Sequence, residues 1–275
     1  MRILIRTSKW AIWARRLGSF ALPLTIVPVL LHREQLIASS DFAVVELVAA
    51  GIAALALFLG LGAFARLWVT GDRGWGKATW GVCFALLCLL PFGYLGYEAS
   101  RYTKVNEVAT DFANPLPLTS GVRVMPTSAA LRDLIEARFP NARTRTYPID
   151  ATQMFTIVSD LIEDRGWDVR TQRLPPTALD SGQIDAIATT LLGWRDEVVI
   201  RVTGTAQGVI VDVRSVPLSE LHDFGENGKR VEDFLLALDQ KVTLLLRDAP
   251  AAAATDVDDG TAADTPDTPA PDSAN

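Results

Sequence analysis

Apolar residues are arranged in two different ways along this chain. Over residues 1–102 they gather into three long runs, at about 17–34, 42–65 and 78–97; beyond residue 122 they recur at periods of two or of three to four. The second run carries Glu46 as its only charge and the third carries none. About 20 consecutive apolar residues in helical form cross the roughly 30 Å hydrocarbon core of a bilayer, so both runs predict transmembrane helices. The first run is interrupted by Pro23 and Pro28. It spans if Arg15, Arg16 and Arg33 lay their stems along the apolar zone and leave their charges among the headgroups.

The second half reads as a folded domain. Residues 103–121 include ANPLPLTSG, whose prolines favour an extended linker. Thr127 or Ser128 then caps a short helix carrying Leu131, Leu134 and Ile135 on one face. Asp150 and Gln153 form a capping box that opens a helix to about Arg165, with Met154, Phe155, Val158, Leu161 and Ile162 at helical spacing. Gly166 stops it, and WDVRTQ starts a strand. Alternation over 184–192, again at Val198, Ile200 and Val202, and again at Val209, Val211 and Val213 predicts consecutive antiparallel strands, the last two joined at Gly204–Gly208. A final helix at about 227–246 stacks Val231, Phe234, Leu235, Leu238, Val242 and Leu245. The expected fold is α+β: three N-terminal transmembrane helices, then a domain over 122–247 with one mainly antiparallel sheet and helices on one face. Residues 248–275 hold seven Asp, four Pro and no basic residue, too few apolar groups to offset the entropy of ordering, and predict a disordered acidic tail.

Charge divides the chain at the same place. Residues 1–97 carry nine Lys/Arg against four Asp/Glu, and residues 98–275 carry 17 against 28, so a net of +5 is joined to a net of −11. Eight basic residues lie before the first run or between the second and third, and only Arg33 lies in the 32–41 loop. The positive-inside rule therefore places the N-terminus and the 66–77 loop in the cytoplasm and everything after residue 98 outside it. Trp10, Trp13, Trp68, Trp75 and Trp80 form a belt at the inner face, and Tyr94, Tyr97 and Tyr102 one at the outer face. Ala38-Ser39-Ser40 also fits a signal-peptide cleavage site, which would leave two helices and the same location for the domain. The location expected is a membrane crossed several times, with the N-terminus cytoplasmic and the C-terminal domain extracytoplasmic.

Candidate chemistry is sparse. GDRGWGKA at 71–78 has the spacing of a phosphate-binding loop, but Ala78 stands where Ser or Thr would hold magnesium, and the stretch joins two membrane helices. The domain holds one His, His222, and no Cys, which argues against a metal site, and no cofactor is expected. Cys83 and Cys88 lie within the third run, so the domain has no disulfide framework. Glu46 lies near the outer end of its span and is read as interfacial; Gly60, Gly62, Gly93 and Gly96 are read as close-packing positions. The one conspicuous cluster is Trp194-Arg195-Asp196, between two strands that present Glu197, Arg201, Asp212 and Arg214 opposite the valine face. One reading is a turn closed by cross-strand charge pairs, with Trp194 over the sheet edge or a helix end. The other is a surface on which Arg195, Arg201 and Arg214 grip a carboxylate or phosphate.

FPNARTRTYPID, a helix ending in RGWDV, QIDAIATTLLGWRDEVVIRV, VDVRSV, DFG and NGKRVEDFL, in this order, resemble the domain-of-unknown-function 1499 family over about residues 105–245. The front half resembles members that carry membrane helices before the domain. The resemblance implies a bacterial envelope domain and assigns it no reaction. PLSELH at 217–222 departs from the family pattern, which has Arg, Gly and Ser there, and this argues against an anion site at that stretch. The function expected is a membrane-anchored binding or scaffolding module; the alternatives are an envelope hydrolase using carboxylates or hydroxyls and an accessory subunit of a transporter. Expected partners are the lipid bilayer and either another envelope protein or a small anionic ligand. Nucleic acid is excluded by the location and the acidic charge.

Overall fold

In the computed structural model, which describes residues 6–102, 105–121, 129–219 and 223–255, each apolar run lies inside a longer helix. These are α1 (Lys9–Arg33), α2 (Ser39–Thr70) and α3 (Trp75–Arg101), all long and apolar enough to cross a membrane. They outrun the expected spans because the aromatic and basic flanks of each run also form good helix, and only the turn residues end them. Gly71 closes α2 in the left-handed conformation at φ 66°, its N–H returning to the Leu67 carbonyl. The stretch with phosphate-loop spacing is the α2–α3 turn, bridged to the N-terminal segment at Thr7 and Arg73. α1 runs through both of its prolines.

Small residues at three- to four-residue spacing let the helices approach closely: Ala11, Ala14, Gly18 and Ala21 on α1, Ala49, Ala53, Ala56 and Gly60 on α2, and Ala78, Gly81 and Ala85 on α3 are buried. Gly60 and Gly62 pack as the sequence suggests, against Val82 and the Trp10 ring. Gly93 and Gly96 do not; nothing lies within 4 Å of where their side chains would be.

The domain is a six-stranded sheet of β1 (Val108–Ala109), β2 (Arg145–Tyr147), β3 (Asp168–Arg173), β4 (Ser181–Thr189), β5 (Arg195–Thr205) and β6 (Gly208–Pro217). β3 to β6 form an antiparallel meander, and β1 and β2 both pair with the far edge of β6. Ala206-Gln207 is the tight turn between β5 and β6, with Thr205 opposite Gly208. Ile184, Ile200, Val202, Val211 and Val213 point to one face, beneath α5 (Ala151–Asp164) and α6 (Glu226–Thr255); Ile135 of α4 (Ala129–Arg138) joins the same core. The stripes expected on both long helices are the ones buried, and Asp150 caps α5 by accepting from the Gln153 N–H at 2.8 Å.

Two expectations change. Residues 105–121 are not a free linker: β1 lies within them, Val105, Val108 and Leu116 are fully buried, and the segment crosses the second face of the sheet as a strap. Its polar groups are satisfied by residues about a hundred positions away, which no local pattern reveals. The last helix continues beyond residue 246, to Thr255, into the stretch read as tail. The rest of that tail, together with Thr127, Ser128 and His222, lies outside the described residues.

Candidate functional site

Strand geometry divides the six singled-out residues among four places, because alternate side chains leave a strand on opposite faces. Arg201 and Asp212 face each other across β5 and β6 and form an ion pair at 2.9 Å, which Arg201 extends to Asp111 of the strap at 3.0 Å. Thr144 also donates to Asp212, at 2.6 Å. Arg214 binds Glu107 at 2.5 Å and donates to the Leu116 carbonyl. On the same face Glu197 accepts from Thr119 and Ser120, and Asp185 from Thr119. Asp196 points the other way, to Arg230 of α6 at 2.6 Å. Among the described residues Arg195 has no ion-pair partner.

The expected cross-strand pairing thus holds for Arg201–Asp212. The anion clamp of Arg195, Arg201 and Arg214 does not form: the chain's own carboxylates and carbonyls occupy Arg201 and Arg214. These contacts fasten the strap to the sheet.

Burial pushes the Asp196 carboxyl up, Arg230 pulls it down, and it remains above the ordinary value. For Asp111 the balance is reversed. Burial would raise it, but the N–H groups of Asn114 and Ala113 and the Arg201 guanidinium hold it below the usual carboxylate range. A depressed folded-state pKa contributes stability above the unfolded value of about 3.9 that is lost as pH falls through the folded one. Asp111→Asn should therefore melt below the wild type at pH 7, and the gap should close as pH drops below about 4. Thermal melts between pH 7 and pH 3 check this; a constant gap would assign the difference to packing instead of charge.

Trp194 ends the five-residue β4–β5 connection, which closes on itself through Thr190 N–H to the Trp194 carbonyl at 2.8 Å and Gly193 N–H to the Thr190 carbonyl at 3.0 Å. The helix ends its ring covers are those of the membrane helices. It packs edge-on against His32, in the last turn of α1, and Phe42, in the first turn of α2, at centroid distances of 6.3 and 6.0 Å. His32 and Phe42 themselves stack at 4.5 Å. His32 Nδ1 donates to the Leu192 carbonyl at 2.7 Å, its Nε2 pairs with Ser39 Oγ at 3.0 Å, and Gln35 donates to the Gly193 carbonyl at 2.9 Å. From the other side Phe224 meets the Trp194 ring at 5.9 Å; its own backbone is held at φ 54°, a conformation an aromatic residue rarely adopts.

A second clamp holds the end of α3. Lys229 of α6 binds Glu98 at 2.9 Å and lies over the Tyr102 ring, which stacks on Phe139 at 5.6 Å. Burial would lower Lys229, but Glu98 and Glu226 outweigh it and hold the ammonium above its ordinary value. His32, Phe42, Glu98, Phe224 and Lys229 are the residues that sequence reading missed. The available signal was an aromatic or ionisable residue at each end of the short 32–41 loop and at the end of the third span. Glu46, read as interfacial from its place near the end of its span, is packed between the helices and 7% exposed.

Three apolar helices capped at one end by an α+β domain, clamped there by an aromatic cluster and an ion pair, define a membrane-helix protein with a docked domain. The family model described as "Protein of unknown function (DUF1499)" matches residues 105–238, so the domain is similar to that family over this stretch. The matched segment begins within the strap, in agreement with the strap's place in the fold. No curated protein and no solved structure matches the chain.

Proposed function

We propose that this chain is an envelope protein of the bacterial inner membrane whose DUF1499 domain lies outside the cytoplasm and works as a binding module at the membrane surface. One observation carries the reading: the β4–β5 connection is seated on the α1–α2 connection and, with Phe224, closes an apolar space between domain and helices. A domain tethered only for location would not need its most distinctive loop fastened to the membrane part. The carboxylates that a hydrolase would use, Asp185, Asp196, Glu197 and Asp212, already accept hydrogen bonds from the chain's own side chains, which favours binding over catalysis.

Orientation is tested by phosphatase fusions. One after residue 105 should be active and one at residue 72 inactive; the reverse pattern would overturn the location. Binding is tested by extracting the full chain from native membranes in polymer-bounded lipid discs and identifying what stays with it. A small molecule or protein retained in fixed ratio supports the module, and a chain that retains neither contradicts it.

A further inference from the structure

The space beneath Trp194 has a definite chemistry. A cavity of about 370 Å³ lies between α1, α2, α3 and the domain, its walls including Val29, Phe42, Glu46, Phe92 and Trp194. A second, of about 440 Å³, adjoins it through shared Pro91, Leu95, Leu192, Trp194 and Phe224. The volumes suit a small-molecule site. Glu46 lies seven residues into α2 from Ser39, about 10 Å along the axis at 1.5 Å per residue, near the domain end of that apolar helix. Leu47 and Tyr94, which line the two cavities, are exposed on the sides of the helices, and Leu191 of the docked loop is 78% exposed. The site therefore adjoins the lipid phase.

Two polar atoms in this apolar setting have no hydrogen-bond partner among the described residues: Glu46 Oε1 and the indole Nε1 of Trp194, both buried. A buried polar group without a partner is costly, and native structures keep few of them. Trp194 Nε1 can only donate, so it calls for an acceptor, and the Glu46 carboxylate calls for a donor. A hydroxyl is both. An ammonium would satisfy Glu46 but could not accept from Trp194. A phosphate or carboxylate would face Glu46, Glu98 and Glu226, and Lys229, the cation on the domain side, is engaged by Glu98 and Glu226 at 2.9 and 4.0 Å.

We propose that this cavity binds an uncharged lipid whose head carries hydroxyls, of the monoacylglycerol kind, with the head between Glu46 and Trp194 and the chain leaving past Leu47 into the bilayer. The inference rests on the membrane-surface binding role above and names its ligand class.

The test uses the full chain in phosphatidylcholine nanodiscs and three photoreactive diazirine probes with the same alkyl chain: a monoacylglycerol, a fatty acid and an alkylamine. The monoacylglycerol should label peptides containing residues 42–47 or Trp194 saturably and be displaced by unlabelled monoacylglycerol. Trp194→Phe, which keeps the ring and removes the donor, and Glu46→Leu should each weaken it about tenfold, the loss of one hydrogen bond. Glu46→Gln, which still accepts, should stay within about threefold of wild type and serves as the control for folding. Stronger labelling by the amine or the fatty acid, equal labelling by all three, or unchanged affinity in Trp194→Phe and Glu46→Leu would overturn the assignment. If no probe labels saturably while the native-membrane extract still retains a fixed partner, the lipid assignment falls and the binding module stands.

Discussion

Arg214→Ala should destabilise the α+β domain by about 3–5 kcal/mol, because it breaks a buried ion pair from one side only. The Arg214 side chain is 3% exposed; it holds Glu107 with two nitrogens and the Leu116 carbonyl with a third. Truncation leaves the Glu107 carboxylate in a low-dielectric setting without its countercharge and frees the strap along much of its length. Glu107→Gln in the Arg214→Ala background should recover part of the loss, since the stranded charge is then gone. Arg195→Ala in the same series should cost less than about 0.5 kcal/mol, the ordinary effect of a substitution away from buried partners. Chemical denaturation of the detergent-solubilised chain, followed by circular dichroism, measures all three. A loss below about 1 kcal/mol for Arg214→Ala would show that the strap is held by something other than this pair.

Gly193→Ala should detach the β4–β5 connection from the helices. Gly193 sits at φ 92°, where a side chain is strained, and an added Cβ would lie 2.8 Å from the backbone of His32 and Arg33. Neither side can yield cheaply, because both are main chain tied by the His32–Leu192 and Gln35–Gly193 hydrogen bonds. Backbone strain of this kind costs on the order of 1–3 kcal/mol before the clash is counted. Hydrogen exchange at residues 190–194 and 32–38 should accelerate roughly tenfold or more, equivalent to about 1.4 kcal/mol of local opening. Amides in β4, β5 and β6 should keep their protection, since the clash lies outside the sheet. Unchanged exchange in the two loops would mean that they do not hold each other.

Local physics made a large part of this protein legible before any fold was known. Water and bilayer impose the length of the three apolar runs; the backbone imposes the 3.6-residue stripe of Met154, Phe155, Val158 and Leu161 and the two-residue alternation of Val198, Ile200 and Val202. The Asp150 cap is equally local, joining residues three apart. Even the Arg201–Asp212 pair follows from strand register across a tight turn. What no window of sequence contains is the closure between distant segments. Glu107 meets Arg214, and His32 meets Leu192 across 160 residues, because the strap and the membrane helices converge on the same sheet from different directions. Their partners are selected by shape and by the need to satisfy every buried charge, not by periodicity. For that reason residues 105–121 read as a linker although their polar groups pair with the sheet, and the helix ends that Trp194 covers are identified only by its contacts with His32 and Phe42. The sequence alone determined the long helices, the strands of the meander, their faces and the three apolar spans; the tertiary structure alone decided that β1 and β2 join the sheet edge, that the domain is fastened to the helices and that Glu46 and Trp194 line one cavity, since these depend on contacts that exist only when distant segments meet.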